Sequence, residues 1–383
     1  MNQSINEQLN NLESQEPSFG RWLFLAVLVY GILVAVTIIG SGFKLATGEH
    51  AKSLFEFAAN PVLGLIIGMV ATALIQSSST VSSIIVAMVA GGLPIPIAVP
   101  MIMGANIGTS ITSTIVSLGH VADKKEFQRA FGAATIHDFF NVICVFIFLP
   151  LEIAFGFLET ASAKLVALFS SGSAMAVGGF NPVKAITAPV SKTVENVLSF
   201  LPDIYAGVVM AIVGVALIIL SITFMGKTMK SLMVGQAKDI LHKSIGKGPL
   251  QGIFSGTVVT VLVQSSSTTT SLVVPLVGNG VLTSRDIYPF TLGANIGTCI
   301  TALLAAIAVT GPNAGFALQI AFVHLLYNTL GVVIVYGVKF LREIPLSCSL
   351  KLATKAADQK LYGLAYILTM FFILPLTVIT IAG

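Results

Sequence analysis

The sequence predicts an all-α polytopic membrane protein built from two inverted repeats, each with a re-entrant helical hairpin, plus an extra C-terminal transmembrane helix. Three observations predict it. Only 9% of the 383 residues are charged and the mean hydropathy is +0.94, whereas soluble domains carry about 25% charged residues. Uncharged stretches of membrane-crossing length recur along the chain. A polar cluster, Gln-Ser-Ser-Ser-Thr, interrupts two of these apolar tracts, starting at Gln76 and again at Gln264. This composition excludes a soluble enzyme, a secreted disulfide scaffold and a disordered chain. The net charge of +4 is dispersed and points to no nucleic-acid partner, and Cys144, Cys299 and Cys348, an odd number, read as packing residues.

Taken in order, residues 1–21 form a cytoplasmic N-terminal tail, with three Glu and no Lys or Arg before Arg21, the wrong charge for a signal peptide. The first repeat covers 22–151. It opens with an uncharged span at 22–43, long enough for a helix to cross the hydrocarbon core, which needs about 20 residues. A 63-residue tract without charge follows at 57–119. Within it, arms 61–75 and 81–90 flank the cluster and are too short to span, so 61–90 reads as a re-entrant hairpin with its polar tip deep in the membrane. Full spans follow at 97–118 and 130–151, the second interrupted by His137 and Asp138. Residues 152–203 form an extracytoplasmic linker. The second repeat, 204–338, has the same plan: a span at 204–226, a hairpin at 249–277 with its cluster at 264–268, then spans at 287–309 and 316–338. Residues 339–383 form a cytoplasmic loop and the terminal helix.

Four elements recur in the same order. Gly-Ala-Asn-Ile-Gly-Thr at 104–109 returns at 293–298, and His137 and Asn141 return as His324 and Asn328. The distribution of Lys and Arg, which collect in cytoplasmic loops, sets the orientation. Lys124, Lys125 and Arg129 follow the first GANIGT span, but 310–315 after the second has no cation. Conversely, five lysines from Lys227 to Lys247 precede the second hairpin, whereas Lys44 and Lys52 before the first are offset by Glu49 and Glu56. Equivalent loops carry opposite bias, so the repeats are inverted. The N-terminus then lies inside, the C-terminus outside, and the two tips meet near the midplane.

Paired broken segments in inverted repeats are the signature of a secondary transporter's binding site. The candidate substrate and sodium site comprises Gln76, Ser77, Ser78, Ser79, Thr80, Gln264, Ser265, Ser266, Ser267 and Thr268, together with Asn106, Thr109, Asn295 and Thr298. Hydroxyls, amides and the backbone N–H groups freed at a helix break bind an anion, and freed carbonyls suit a hard cation. Neither tract contains Lys or Arg, and an uncompensated anion at mid-membrane is costly. The compensating charge must therefore arrive from solution. No titratable group sits at the tips, so sodium, which needs only neutral oxygens, fits better than a proton; it would bind at the same residues, with individual ligands unassigned. No resident cofactor is implied. Against these readings, serines in membranes also bond back to their own helix, the glycines suit close helix packing, and His137, His324, Asn141 and Asn328 suit interhelical hydrogen bonds. Asp138 has Leu325 in the equivalent place, an asymmetry between the halves.

The paired QSSST clusters, the GANIGT run after each, and Phe131-Gly-Ala-Ala-Thr-Ile-His-Asp-Phe-Phe-Asn141 resemble the type II sodium-phosphate cotransporters from Trp22 onward. The resemblance implies sodium-driven uptake of inorganic phosphate by alternating access, with the paired hairpins forming the site, in a multi-pass protein of the plasma (inner) membrane. Residues 152–203 hold no Cys and no glycosylation sequon, unlike the larger central loop of vertebrate members, which suits a bacterial-type member. The partners implied are phosphate, sodium and the lipid bilayer; oligomeric state is not legible in the sequence. The rival readings are a transporter of sulfate or arsenate, a passive anion channel, and an intramembrane hydrolase. The last conflicts with duplicated sites, since an enzyme needs one asymmetric centre.

Overall fold

The computed structural model describes residues 19–47, 60–171, 182–244, 248–309 and 311–382. The tail before residue 19, Lys52 and Lys247 lie outside them, as do Glu49 and Glu56. Among the described residues the chain is all-helical, and seven helical segments are long and apolar enough to cross a membrane. Helix α1 covers Phe19–Thr47, α2 Pro61–Ile75, α3 Ser78–Ala90, α4 Ile95–Gly108, α5 Ile111–Ser117 and α6 Lys124–Phe155. Then come α7 (Phe157–Ser171), α8 (Pro182–Val197), α9 (Asp203–Ser244), α10 (Pro249–Val263), α11 (Ser266–Gly278), α12 (Ser284–Ala308) and α13 (Ala314–Gly331). A π turn, Val332–Tyr336, leads to α14 (Lys339–Asp358), and α15 (Lys360–Leu368), a second π turn and α16 (Leu374–Ala382) complete the chain.

Local chemistry sets many of the ends. Asn60 caps α2, its side chain accepting from the Val62 N–H, with Pro61 at the first helical position where a missing N–H costs nothing. Asp123 accepts from the Lys125 and Glu126 N–H groups at 2.8 Å to start α6, and Gly156 ends it at φ 55°. Thr283 and Asp286 form a reciprocal capping box at the head of α12.

The first arms of both broken pairs, α2 and α10, have the predicted bounds. The second arms begin earlier than predicted: α3 starts at Ser78 and α11 at Ser266, so each break is only two residues wide and most of each polar cluster forms a first helical turn. The expected span 97–118 falls within the membrane-length segment Ile95–His120, which has an irregular turn after Gly108 between α4 and α5, whereas its counterpart α12 runs unbroken through residues 293–298. The linker 152–203, where described, carries α7 and α8.

The duplicated elements pack in matched pairs. Helix α2 lies on α4 as α10 lies on α12. Across the halves, α3 is clasped by α12 and α13, and α11 by α5 and α6. The C-terminal carbonyl of each second arm is met from the opposite half: Asn313 Nδ2 donates to the Ala90 oxygen at 2.9 Å and Arg129 Nε to the Gly278 oxygen at 2.8 Å. Glycines permit the closest approaches. A Cβ at Gly68 would collide with the Met101 carbonyl, and one at Gly256 with the equivalent Phe290 carbonyl; small residues let helix backbones touch in this way. The outward faces are apolar, with Phe146, Ile212, Leu361 and Ile381 all exposed, as required of surfaces that meet lipid rather than water.

Candidate functional site

The site is organised by two backbone irregularities. Gln76 (φ 56°, ψ 30°) and Gln264 (φ 57°, ψ 28°) are the two non-glycine residues with positive φ among those described. Each ends its first arm with its N–H donating to Thr72 or Thr260 at 2.7 Å. Glycine is the usual residue for this left-handed cap; a side chain there costs of order 1 kcal/mol, so both halves retain glutamine against a backbone preference. The next residue returns to extended conformation, and its hydroxyl caps the second arm: Ser77 Oγ accepts from the Thr80 N–H at 3.2 Å, Ser265 Oγ from the Thr268 N–H at 3.1 Å.

The first N–H groups of α3 and α11 therefore have no intrahelical partner and face the break, an arrangement that favours negative charge. The hydroxyls of Ser78, Ser79 and Ser266, all on largely buried residues, make no hydrogen bond among the described residues. Back-bonding is carried out by residues further along: Ser82 and Ser83 donate to the Ser79 oxygen, Thr269 to Ser265 and Thr270 to Ser266. Ser267 reaches across to the Thr109 oxygen at 3.5 Å. Among the described residues no hydrogen bond joins one tip cluster directly to the other.

The two GANIGT stretches flank the breaks. Thr109 and Thr298 turn their hydroxyls onto their own helices, donating to Ala105 and Ala294 at 3.0 Å. Asn106 and Asn295 are both buried. Asn106 Nδ2 donates to the Ile102 oxygen, whereas Asn295 is engaged on both sides: His137 Nε2 lies 2.6 Å from its Oδ1, and its Nδ2 donates to Asn141 Oδ1 at 2.8 Å. Asn141 Nδ2 in turn donates to the Asn106 oxygen at 2.8 Å. The expected interhelical role thus holds for His137 and Asn141. It holds also for Asn328, which donates to Cys299 Sγ on α12 as well as to its own helix, but not for the His324 ring, which has no partner among the described residues.

Asp138 is fully buried. Tyr366 on α15 donates to its Oδ2 at 2.9 Å, and its Oδ1 has no partner among the described residues. A carboxyl so placed is neutral or pairs with a cation. The sequence reading overlooked two further pairs. Thr72 and Thr260, one turn before each break, keep buried hydroxyls without a partner, and Thr301 donates to Gln264 Oε1 at 3.2 Å while its counterpart Thr112 has none. Both pairs recur at the repeat spacing, a signal visible in the sequence but masked by their apolar neighbours. The side chains of the two tip clusters, with Asn106, Thr109, Asn295 and Thr298, are all neutral oxygen or nitrogen groups, a set that can hold a tetrahedral oxyanion and hard cations together.

The fold defines a multi-pass helical membrane protein. The chain belongs to the Na+/Pi-cotransporter family, matching it over residues 32–177 and 217–349. It is 32% identical to the sodium-dependent phosphate transport protein 2B of Homo sapiens, in an alignment covering 95% of this chain and 66% of that one. It is 33% identical to the sodium-dependent phosphate transport protein 2A of Rattus norvegicus, over 93% of this chain and 67% of that one. The chain thus spans about two thirds of the length of these relatives. No solved structure matches it.

Proposed function

We propose that the protein is a sodium-coupled symporter that imports inorganic phosphate by alternating access, and that it is not an enzyme. The observation that carries this reading is the matched pair of left-handed glutamine breaks, each followed by a serine-capped helix N-terminus whose first turn is rich in hydroxyls. In this reading the two broken pairs are re-entrant hairpins of inverted repeats, the first entering from outside and the second from inside. The protein sits in the plasma (inner) membrane with its N-terminus cytoplasmic and its C-terminus outside. Phosphate lies against the N-termini of α3 and α11, and sodium supplies the positive charge that the site lacks. The relatives' names as sodium-dependent phosphate transport proteins support the cargo, and Asp138 adds one buried carboxyl able to face a cation.

Labelled phosphate uptake into proteoliposomes under an imposed sodium gradient tests the reading. Uptake should require sodium. Equal uptake in potassium or choline would indicate a passive channel, and sulfate outcompeting phosphate would reassign the cargo to another oxyanion. A cysteine probe in place of exposed Lys164 on α7 should label from outside; labelling from the cytoplasmic face alone would overturn the inverted topology.

A further inference from the structure

The halves repeat a set of three polar residues: Asn106, His137 and Asn141 in the first, Asn295, His324 and Asn328 in the second. If both sets served packing alone, both would be satisfied in the same way. They are not. His137, Asn295, Asn141 and the Asn106 carbonyl form one directional chain across α6, α12 and α4, at 2.6, 2.8 and 2.8 Å. The mirror chain is absent: neither ring nitrogen of buried His324 has a partner among the described residues, nor has Asn328 Oδ1. Helix α6 therefore ties both GANIGT stretches into one register, by a side chain on α12 and by the backbone on α4, while α13 meets α12 only just past the second stretch, where Cys299 Sγ accepts from Asn328 and donates to the His324 oxygen, and the His324 ring takes no part.

We infer that His137, acting through Asn295, is a positioning residue for the sodium-binding side of the site, and that its twin His324 has no such role. The inference rests on the proposed transport reading. Buried hydrogen bonds between side chains hold a site's geometry only if both ends are anchored. Asn295 is anchored at both its amide oxygen and its amide nitrogen, and the turn it fixes carries Thr298 and leads to Thr301, which holds Gln264 at the second break. Without His137, Asn295 Oδ1 is left buried and unpaired, its side chain turns, and the carbonyls of that stretch lose their register. Removing His324 leaves no partner unpaired.

The test measures the sodium concentration giving half-maximal phosphate uptake, and the sodium concentration giving a half-maximal rise in thermal stability of purified protein in detergent. Wild-type transport is measured first, so that absence of sodium-driven uptake indicts the transport reading and not this inference. With uptake established, His137→Leu should raise both sodium midpoints roughly tenfold, the factor for one lost buried hydrogen bond. His137→Gln, which keeps a donor, should restore them to within about threefold. His324→Leu should leave both midpoints unchanged. If His137→Leu does not fold, His137→Asn, polar but too short to reach Asn295, replaces it with the same expectation. Equal shifts for His137→Leu and His324→Leu, or unchanged sodium midpoints with only a lower melting temperature in His137→Leu, would overturn the inference.

Discussion

At the two breaks the halves of the molecule agree in backbone and disagree in side chains. Gln76 and Gln264 differ by one degree in φ and two in ψ, and the glycine contacts of α2 on α4 recur in α10 on α12. Around these, the polar groups diverge. Gln264 is held by Val261 and Thr301, whereas Gln76 is exposed and unbonded and Thr112 stands alone. Asp138 faces Tyr366, but its counterpart is Leu325. A duplicated scaffold has thus kept the breaks that open helix ends and individualised the groups lining them. This is what a carrier needs if one half presents a fixed site and the other an adjustable one.

The largest effects should come from the glutamines. Gln76→Ala and Gln264→Ala should each abolish sodium-driven uptake. Their stabilities should differ: Gln264→Ala loses about 1 kcal/mol by leaving Thr301 unpaired, and Gln76→Ala loses nothing measurable, as read by thermal unfolding in detergent. Equal stability losses would mean that the two tips are alike. Next, Gly68→Ala and Gly256→Ala should each cost about 1–3 kcal/mol through forced separation of packed backbones, seen as a matched drop in unfolding temperature. Unmatched drops would break the scaffold side of the comparison. Thr301→Val should then cost about 1 kcal/mol and Thr112→Val none, because only the former gives up a hydrogen bond.

The smallest effect concerns the starts of α6 and α13. The Glu126 backbone N–H, with help from that of Lys125 and the charges of Arg129 and Lys125, holds the Asp123 carboxyl below its usual value. Its contribution is therefore present above the ordinary carboxylate value and is lost as pH falls through the depressed one. Asn313, which begins α13, makes no side-chain cap bond. The protection of amides at 124–129 against exchange, relative to their intrinsic rates, should fall below about pH 4, while that at 314–319 should not change.

Much of this was legible in the sequence. Pro61 and Pro249 mark helix starts that the structure reproduces, and the QSSST clusters mark both breaks. The irregular turn between α4 and α5 was not legible, because GANIGT is identical in both halves. The difference lies just beyond it. Thr109, Ser110, Ser113, Thr114 and Ser117 all donate to carbonyls three or four residues back, and such back-bonding bends helices. In α12, Cys299 stands where Ser110 does, and its weak sulfhydryl donor leaves the helix continuous. The pairing of His137 with Asn295 was equally hidden. Sequence symmetry predicts two such links, and only packing decides that one is made.

The crossed clasp of α3 by α12 and α13 also bears on how the protein is made. The partners that cover α3 lie about 200 residues downstream of it, so at ~5–20 residues per second the ribosome leaves the first broken pair without them for ~10–40 s. During that interval its polar turn sits among lipid with no second half to shield it. A chaperone or insertion partner that shelters polar segments in the bilayer would act on this intermediate, and slowing translation between residues 100 and 280 should lower the yield of folded protein more than slowing it after residue 340.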